Sequence, residues 1–283
     1  MRNLRLVLQD IRLEHTLFAL PFAVMGAFIA ADGLPKMGDM GLIVVAMFFA
    51  RSSAMAFNRL TDADFDATNP RTKNRPLASG RAAAGYYAFF VAVSSAAFVA
   101  TCYFINPMAF VLSPGALGVV FFYSFTKRFT SLSHFFLGLS LSLAPVGAWI
   151  AIRGGVGVVP FLLGGAVLFW LVGLDVIYSC QDVEHDRSAG LFSIPSRFGV
   201  ARALLFSGMA HVAMVVFLFG VFFAARMGWI YLAGVALAAV LLVYEHRLVR
   251  PDDLRRVNTA FFNVNGVISV GLMAFTIADR LAS

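Results

Sequence analysis

Apolar runs of roughly 18 to 22 residues return nine times along this chain, each about the length an α-helix needs to cross a bilayer core. They fall at about 13–31, 39–61, 83–103, 107–125, 134–152, 158–179, 202–223, 228–247 and 259–279. In lipid no water satisfies backbone N–H and C=O groups, so only helices or a closed barrel can span. The period-2 alternation of barrel strands is missing from these runs. The expectation is therefore an all-α polytopic membrane protein, nine transmembrane helices in one bundle, with residues 1–283 as a single domain. Only 13% of the residues are charged, where a soluble domain carries about 25%.

A net charge of +7 raises the question of nucleic acid, but the cations are sorted by loop. Alternate connections hold Arg2, Arg5 and Arg12, then Arg59, Arg71, Lys73, Arg75 and Arg81, then Lys127 and Arg128, then Arg187, Arg197 and Arg202, and last Arg247, Arg250, Arg255 and Arg256. The opposite side has only Lys36, Arg153, Arg226 and Arg280, so the count is seventeen against four, with Arg51 inside a span. By the positive-inside rule the N-terminus and the charged loops face the cytoplasm of a bacterial inner membrane. The basic excess is topology, and neither a nucleic-acid partner nor an obligate protein partner is implied; the bilayer is the partner. Cys102 and Cys180 have no framework spacing and suggest neither disulfide nor metal. The first apolar run reads as one span of nine rather than a cleavable leader.

The longest polar excursions are 62–82, 180–202 and 246–258, all on the cation-rich side. Two of them open alike, with aspartates four apart followed by Arg, Ser/Thr and Gly. Asp62 and Asp182 are 120 residues apart, which hints at a repeated four-helix unit, about 13–125 and 134–247, plus a ninth helix. In "NRLTDADFDATNPRTKNRP", Asn58, Asp62 and Asp66 are spaced i, i+4, i+8 and share a face if the second helix continues through them. Asp182 and Asp186 repeat the i, i+4 spacing. Carboxylates stacked this way repel one another unless a hard cation neutralises them. Mg²⁺ prefers oxygen ligands and usually takes one or two carboxylates together with phosphate oxygens. Two facing clusters could hold Mg²⁺ on either side of a diphosphate, with Arg71, Lys73 and Arg75 donating to phosphate oxygens. Asp64, Glu184 and His185 are out of phase with these rows; Asp64 is expected to be solvated, Glu184 and His185 structural.

The pattern Asn58-x3-Asp62-x2-Phe65-Asp66, then Arg71-Thr72-x2-Arg75-x4-Gly80, resembles the signature of the UbiA-type intramembrane prenyltransferases. So does Asp175-x2-Tyr178-x3-Asp182-x3-Asp186 followed by Gly190. The resemblance covers the whole chain. It implies nine helices around a central cavity that opens to the cytoplasm and binds an isoprenyl diphosphate through Mg²⁺ and both acidic motifs. One departure is Asn69, where many members have Val or Met two residues before the Arg. With "LEHTLFALPFA" near the N-terminus it is similar to the 4-hydroxybenzoate polyprenyltransferase-like branch, some of whose members serve menaquinone synthesis by the futalosine route with a dihydroxynaphthoate-type acceptor.

The resemblance implies a polyprenyl diphosphate and a small hydroxylated aromatic acid as substrates in ubiquinone or menaquinone biosynthesis. Departure of the diphosphate is assigned to Mg²⁺ held by Asn58, Asp62, Asp66, Asp182 and Asp186, helped by Arg71, Arg75 and Lys127. Tyr123 and Lys127, at i, i+4, would point at the diphosphate, unless this helix end is only an interfacial anchor. Tyr178 shares the face of Asp175 and Asp182. Arg51 lies two turns before Asn58, inside a span, where a charge is costly and marks function by default. A carboxylate on the acceptor would pair with it; the bland alternative is a pair with Asp175. Glu14 and His15 could meet the acceptor or its phenolic proton, or merely cap the first span. A secondary transporter would also carry intramembrane charges and a repeat, but it places them near the midplane. Haem O and chlorophyll synthase types, with macrocyclic acceptors, are the other readings within the superfamily.

Overall fold

The computed structural model describes residues 2–11 and 16–282. Glu14 and His15 lie outside the described residues. The helices are α1 (Arg2–Asp10), α2 (Thr16–Ala31), α3 (Met37–Thr68), α4 (Ala84–Ile105), α5 (Pro107–Thr126), α6 (Ser133–Arg153), α7 (Val158–Ser179), α8 (Val183–Ser188), α9 (Ile194–Phe198), α10 (Val200–Ala224), α11 (Trp229–Leu248) and α12 (Asn265–Ala282). A 3₁₀ turn, Cys180–Asp182, joins α7 to α8, and a π-helical stretch, Thr259–Val264, leads into α12.

Eight of these segments are long and apolar enough to cross a membrane, and they match the second to ninth predicted spans. The first predicted span, 13–31, corresponds to α2. Its 16 described residues reach about 24 Å, short of the roughly 30 Å core, so by length the described residues give eight spans rather than nine.

Helices α3 to α7 pack each on the next; α7 packs on α10, α10 on α11, α11 on α12, and α12 returns to α2, which also lies on α6. The ring is not uniform. One half, built from α2, α7, α10, α11 and α12, is solid. Phe22, Trp170, Met214, Tyr231 and Ile268 are all buried there in one cluster, with the Phe22 and Trp170 rings 4.9 Å apart. The other half, between α3, α4, α5, α6 and α7, is hollow.

Lipid removes most of the hydrophobic incentive for helices to associate, so close backbone packing and hydrogen bonds must do it. A Cβ at Gly26 would stand 2.7 Å from the Pro145 carbonyl oxygen, and one at Gly138 would stand 2.6 Å from that of Leu168. Glycine at these two positions is what lets α2 and α7 press against α6. Within the solid half Trp170 Nε1 donates to Asn265 Oδ1 (2.6 Å) and Asn265 Nδ2 donates to Glu245 Oε1 (2.7 Å), tying α7, α12 and α11 together.

Arg59 departs from its reading as a loop cation. It lies inside the span on α3 and is buried; its Nε lies 3.4 Å from Asp10 Oδ1. Tyr87 Oη donates to the other oxygen of Asp10 (2.6 Å), so α1 is pinned across α3 and α4.

Candidate active site

Helix α3 is one unbroken helix of 32 residues, so Asn58, Asp62 and Asp66 do project from one face. It stops at Asn69 because Pro70 disfavours the α conformation in the residue before it; Asn69 has φ −84° and ψ 120°. The chain then doubles back. Asn69 Oδ1 accepts from the Arg71 backbone N–H (2.9 Å), and Thr72 Oγ1 donates to the Asp66 carbonyl (3.2 Å). These turns carry both arginines back over the acids. Arg75 Nη1 reaches Asp66 Oδ2 at 2.6 Å. Asn58 Nδ2 donates to Asp62 Oδ2 (2.8 Å), and Asn58 Oδ1 accepts from Arg59 Nη1 (3.1 Å). Asp62 is thus held by one amide. Burial pushes its carboxyl above the usual range; Lys127 pulls the other way and Asp66 adds to the rise.

The second row is built differently. Helix α7 gives way at Cys180 to the 3₁₀ turn, so Asp182 and Asp186 do not follow one straight α register. Both are nevertheless buried and line the same hollow as the first row. Arg71, from the loop after the first row, grips Asp182 with two bonds, Nε–Oδ1 at 3.0 Å and Nη2–Oδ2 at 2.6 Å. Its Nη1 donates to Tyr178 Oη (3.1 Å), and Asn69 Nδ2 adds a longer contact to Asp182 (3.4 Å). Asp186 Oδ2 accepts from Ser193 Oγ (2.9 Å), the residue that caps α9. The motif glycines close both loops in the left-handed region, Gly80 at φ 71° and Gly190 at φ 67°.

Lys127 follows directly on α5. Burial alone would lower its ammonium pKa, but Asp175, Asp186, Asp182 and Asp62 outweigh that and raise it. One cation thus answers acids from both rows. A single cavity of about 780 Å³ is lined by Asn58, Asp62, Asp66, Arg71, Arg75, Tyr123, Lys127, Tyr178, Asp182 and Asp186. Away from the acids it becomes apolar, ending among Cys102, Ile105, Ala109 and Ile150. From Lys127 back to Ala109 along α5 is roughly 27 Å at 1.5 Å per residue. The hollow therefore has a charged mouth at one end of the bundle and a greasy barrel reaching the other.

Arg51 lies on the cavity wall two turns inward of Asn58. Its Nε is buried without a hydrogen-bond partner, and Arg51 makes no ion pair among the described residues. The pairing with Asp175 weighed above is not made: Asp175 Oδ2 instead meets His134 Nδ1 at 2.6 Å. Lys73, grouped above with Arg71 and Arg75, is exposed and outside the cavity lining. Asp64 is exposed as expected; Glu184, expected to be structural, is exposed too, while His185 is half-buried on the cavity wall. Sequence reasoning passed over Asp10, Arg59, His134 and Ser193. Of these, His134 and Arg59, ionisable groups inside the predicted spans 134–152 and 39–61, carried a signal that could have flagged them.

Among the described residues no three His, Cys, Asp or Glu side chains form a ready metal cage. The donors at the mouth are carboxylate and amide oxygens, which suits a hard cation, and Asp62 is held by little. Such a set fits Mg²⁺ bridged to phosphate oxygens better than an ion enclosed by protein.

The profile of the UbiA prenyltransferase family matches residues 19–267. A 4-hydroxybenzoate octaprenyltransferase of Marinobacter nauticus is 33% identical over 240 residues, 84% of this chain and 81% of that protein. One from Vibrio parahaemolyticus is 32% identical over 257 residues, 88% of this chain and 89% of that one. Among solved structures, a UbiA homolog from Aeropyrum pernix K1 superposes with a TM-score of 0.86 at 33% identity, covering 95% of this chain and 98% of its own. A UbiA homolog from Archaeoglobus fulgidus bound to GPP and Mg²⁺ gives 0.77 at 22% identity over 100% of both, a likeness of fold.

Proposed function

The chain belongs to the UbiA prenyltransferase family, and from that premise we propose that it moves a polyprenyl group from an isoprenyl diphosphate to the ring of a small hydroxylated aromatic acid, of the 4-hydroxybenzoate type, in respiratory-quinone biosynthesis. One observation carries the reading: acids and cations ring the mouth of a single cavity, an Arg51 with no ion pair among the described residues sits two turns further in, and the rest is largely apolar.

Each part answers one demand of the chemistry. Asn58, Asp62, Asp66, Asp182 and Asp186 are the residues that would hold Mg²⁺, which when bound neutralises charge building on the departing diphosphate. Arg71, Arg75, Lys127 and the Tyr123 and Tyr178 hydroxyls would donate to its oxygens. Arg71 and Arg75 pair with Asp182 and Asp66. Their guanidiniums would exchange these carboxylates for phosphate oxygens on binding. The apolar barrel keeps water from the allylic carbon once its C1–O bond opens. Arg51 would take the acceptor's carboxylate, since a guanidinium with no ion-pair partner among the described residues, in a lipid-embedded cavity, is suited to an anion. The loop cations support an active site at the cytoplasmic face of a bacterial inner membrane. A transporter is disfavoured because the acids cluster at one end of the bundle rather than midway along it.

Membranes given a labelled polyprenyl diphosphate, Mg²⁺ and a panel of hydroxylated aromatic acids should yield a prenylated acid identifiable by mass. EDTA should stop the reaction and added Mg²⁺ restore it. Arg51→Leu should raise KM for the aromatic acid by at least tenfold, on the order of the 1.5–3 kcal/mol of a charged hydrogen bond, and leave KM for the diphosphate near wild type. Equal effects on both substrates would remove Arg51 from the acceptor site.

A further inference from the structure

Among the described residues, Asp175 is the one cavity carboxylate not assigned to the diphosphate or its metal. It lines the hollow seven residues, two helical turns, before Asp182. Arg51 stands in the same relation to Asn58 on the opposite wall. Each row therefore has a charged residue roughly 10 Å deeper than its metal-type ligands, cationic on α3 and anionic on α7.

His134 fixes the state of Asp175. Its ring is fully buried on α6, and its Nε2 lies 3.2 Å from the Ile194 backbone nitrogen. That N–H can only donate, so Nε2 carries the lone pair and the proton sits on Nδ1, where it donates to Asp175 Oδ2 at 2.6 Å. One carboxylate oxygen is thereby anchored. The Asp175 side chain keeps 18% of its surface, and it lines the cavity. Its neighbours differ. Asp66 and Asp182 are covered by arginines, Asp186 by Ser193, and Asp62 lies at the mouth with Asn58.

We infer that Asp175 is the catalytic base that removes the ring proton of the aromatic acceptor, with His134 as its positioning residue; the inference rests on the function proposed above. The balance is complete. The C1–O bond of the isoprenyl diphosphate breaks and its electron pair leaves with the diphosphate. A ring carbon bonds to C1, leaving that carbon with both the new chain and its hydrogen. Asp175 takes this hydrogen as a proton, and the C–H electron pair restores the aromatic ring. The proton then passes to the departing diphosphate. His134 cannot carry it onward, because Nδ1 already holds a proton and Nε2 is covered by Ile194. Lys127, on the wall of the same cavity at its charged mouth, lies on the way out.

The test uses the full-length protein in nanodiscs with Mg²⁺, a polyprenyl diphosphate and 4-hydroxybenzoate, unlabelled or deuterated on the ring. Wild type should release one deuterium per product. Asp175→Asn keeps the shape and the His134 contact but loses the base. Its turnover should fall by about 10²-fold or more, with KM for the diphosphate unchanged and a slower rate on the deuterated ring. His134→Leu should show a smaller fall with the same isotope effect, and His134→Gln, whose amide can still donate and accept, should recover turnover. Wild-type turnover in Asp175→Asn overturns the inference. So does a loss in both variants without an isotope effect, or a product that keeps all its deuterium because the oxygen was prenylated. Absence of product from wild type with every aromatic acid would instead sink the function on which the inference rests.

Discussion

The two acidic rows look interchangeable as text but are held in different ways. The first is rigid by virtue of its helix: Asn58, Asp62 and Asp66 ride on α3, and Asp62 is left with a single amide contact. The second is irregular in backbone and is held by its contacts instead, Asp182 by both arms of Arg71 and Asp186 by Ser193. The difference teaches that equal spacing need not mean equal role. A row pre-set by backbone can leave a carboxylate open for a cation, whereas a row broken by a 3₁₀ turn needs partners to stay in place. Arg71 makes the two interdependent, since the loop that ends one row clamps the other.

The largest expected effect tests what the rows share. Asp62→Ala and Asp182→Ala should each lower turnover by at least about 10²-fold, the usual cost of losing one preorganised charge-stabilising group, with normal insertion into membranes. Activity assays on equal amounts of inserted protein decide it, and substantial turnover in either variant would break the symmetry of function. A smaller effect tests what the rows do not share. In the ligand-free protein Asp182→Ala removes two charge-assisted bonds and should cost about 1–2 kcal/mol, after a discount for the partly exposed Arg71. Asp62→Ala should cost nothing or stabilise at neutral pH. A carboxyl with a raised folded pKa weakens the fold once pH rises above its unfolded value, so deleting it removes a penalty. Melting in detergent should therefore rank Asp182→Ala below Asp62→Ala; the reverse order would mean the first row is the clamped one. The smallest effect is that of Lys73→Ala. Lys73 is exposed outside the cavity, and its loss should change turnover by less than about twofold, as surface substitutions do.

Much of this was legible beforehand because membranes simplify the code. The second to ninth spans follow from length and hydropathy. The register of the first row follows from its spacing on a helix that Pro70 had to end. Arg51 stood out through the cost of burying a charge in a span. What stayed hidden depends on contacts remote in sequence or on small backbone departures. Nothing local announces that Arg71 reaches Asp182, or that α7 tightens at Cys180 before its acids. Arg59 reads as a loop cation because it follows an apolar run, yet on α3 it is buried and meets Asp10. Asp175 was visible as an anomaly, but its His134 partner lies 41 residues away on another helix.

The greasy barrel that begins at Lys127 and ends near Ala109 also governs where the product can go. A polyprenylated ring formed there has its tail already dissolved among helices that face lipid, so it would slip sideways into the leaflet instead of passing through water. Whichever catalyst next modifies the ring must collect it by two-dimensional diffusion, and the rate of that hand-over would depend on how crowded the membrane is, not on the volume of the cell.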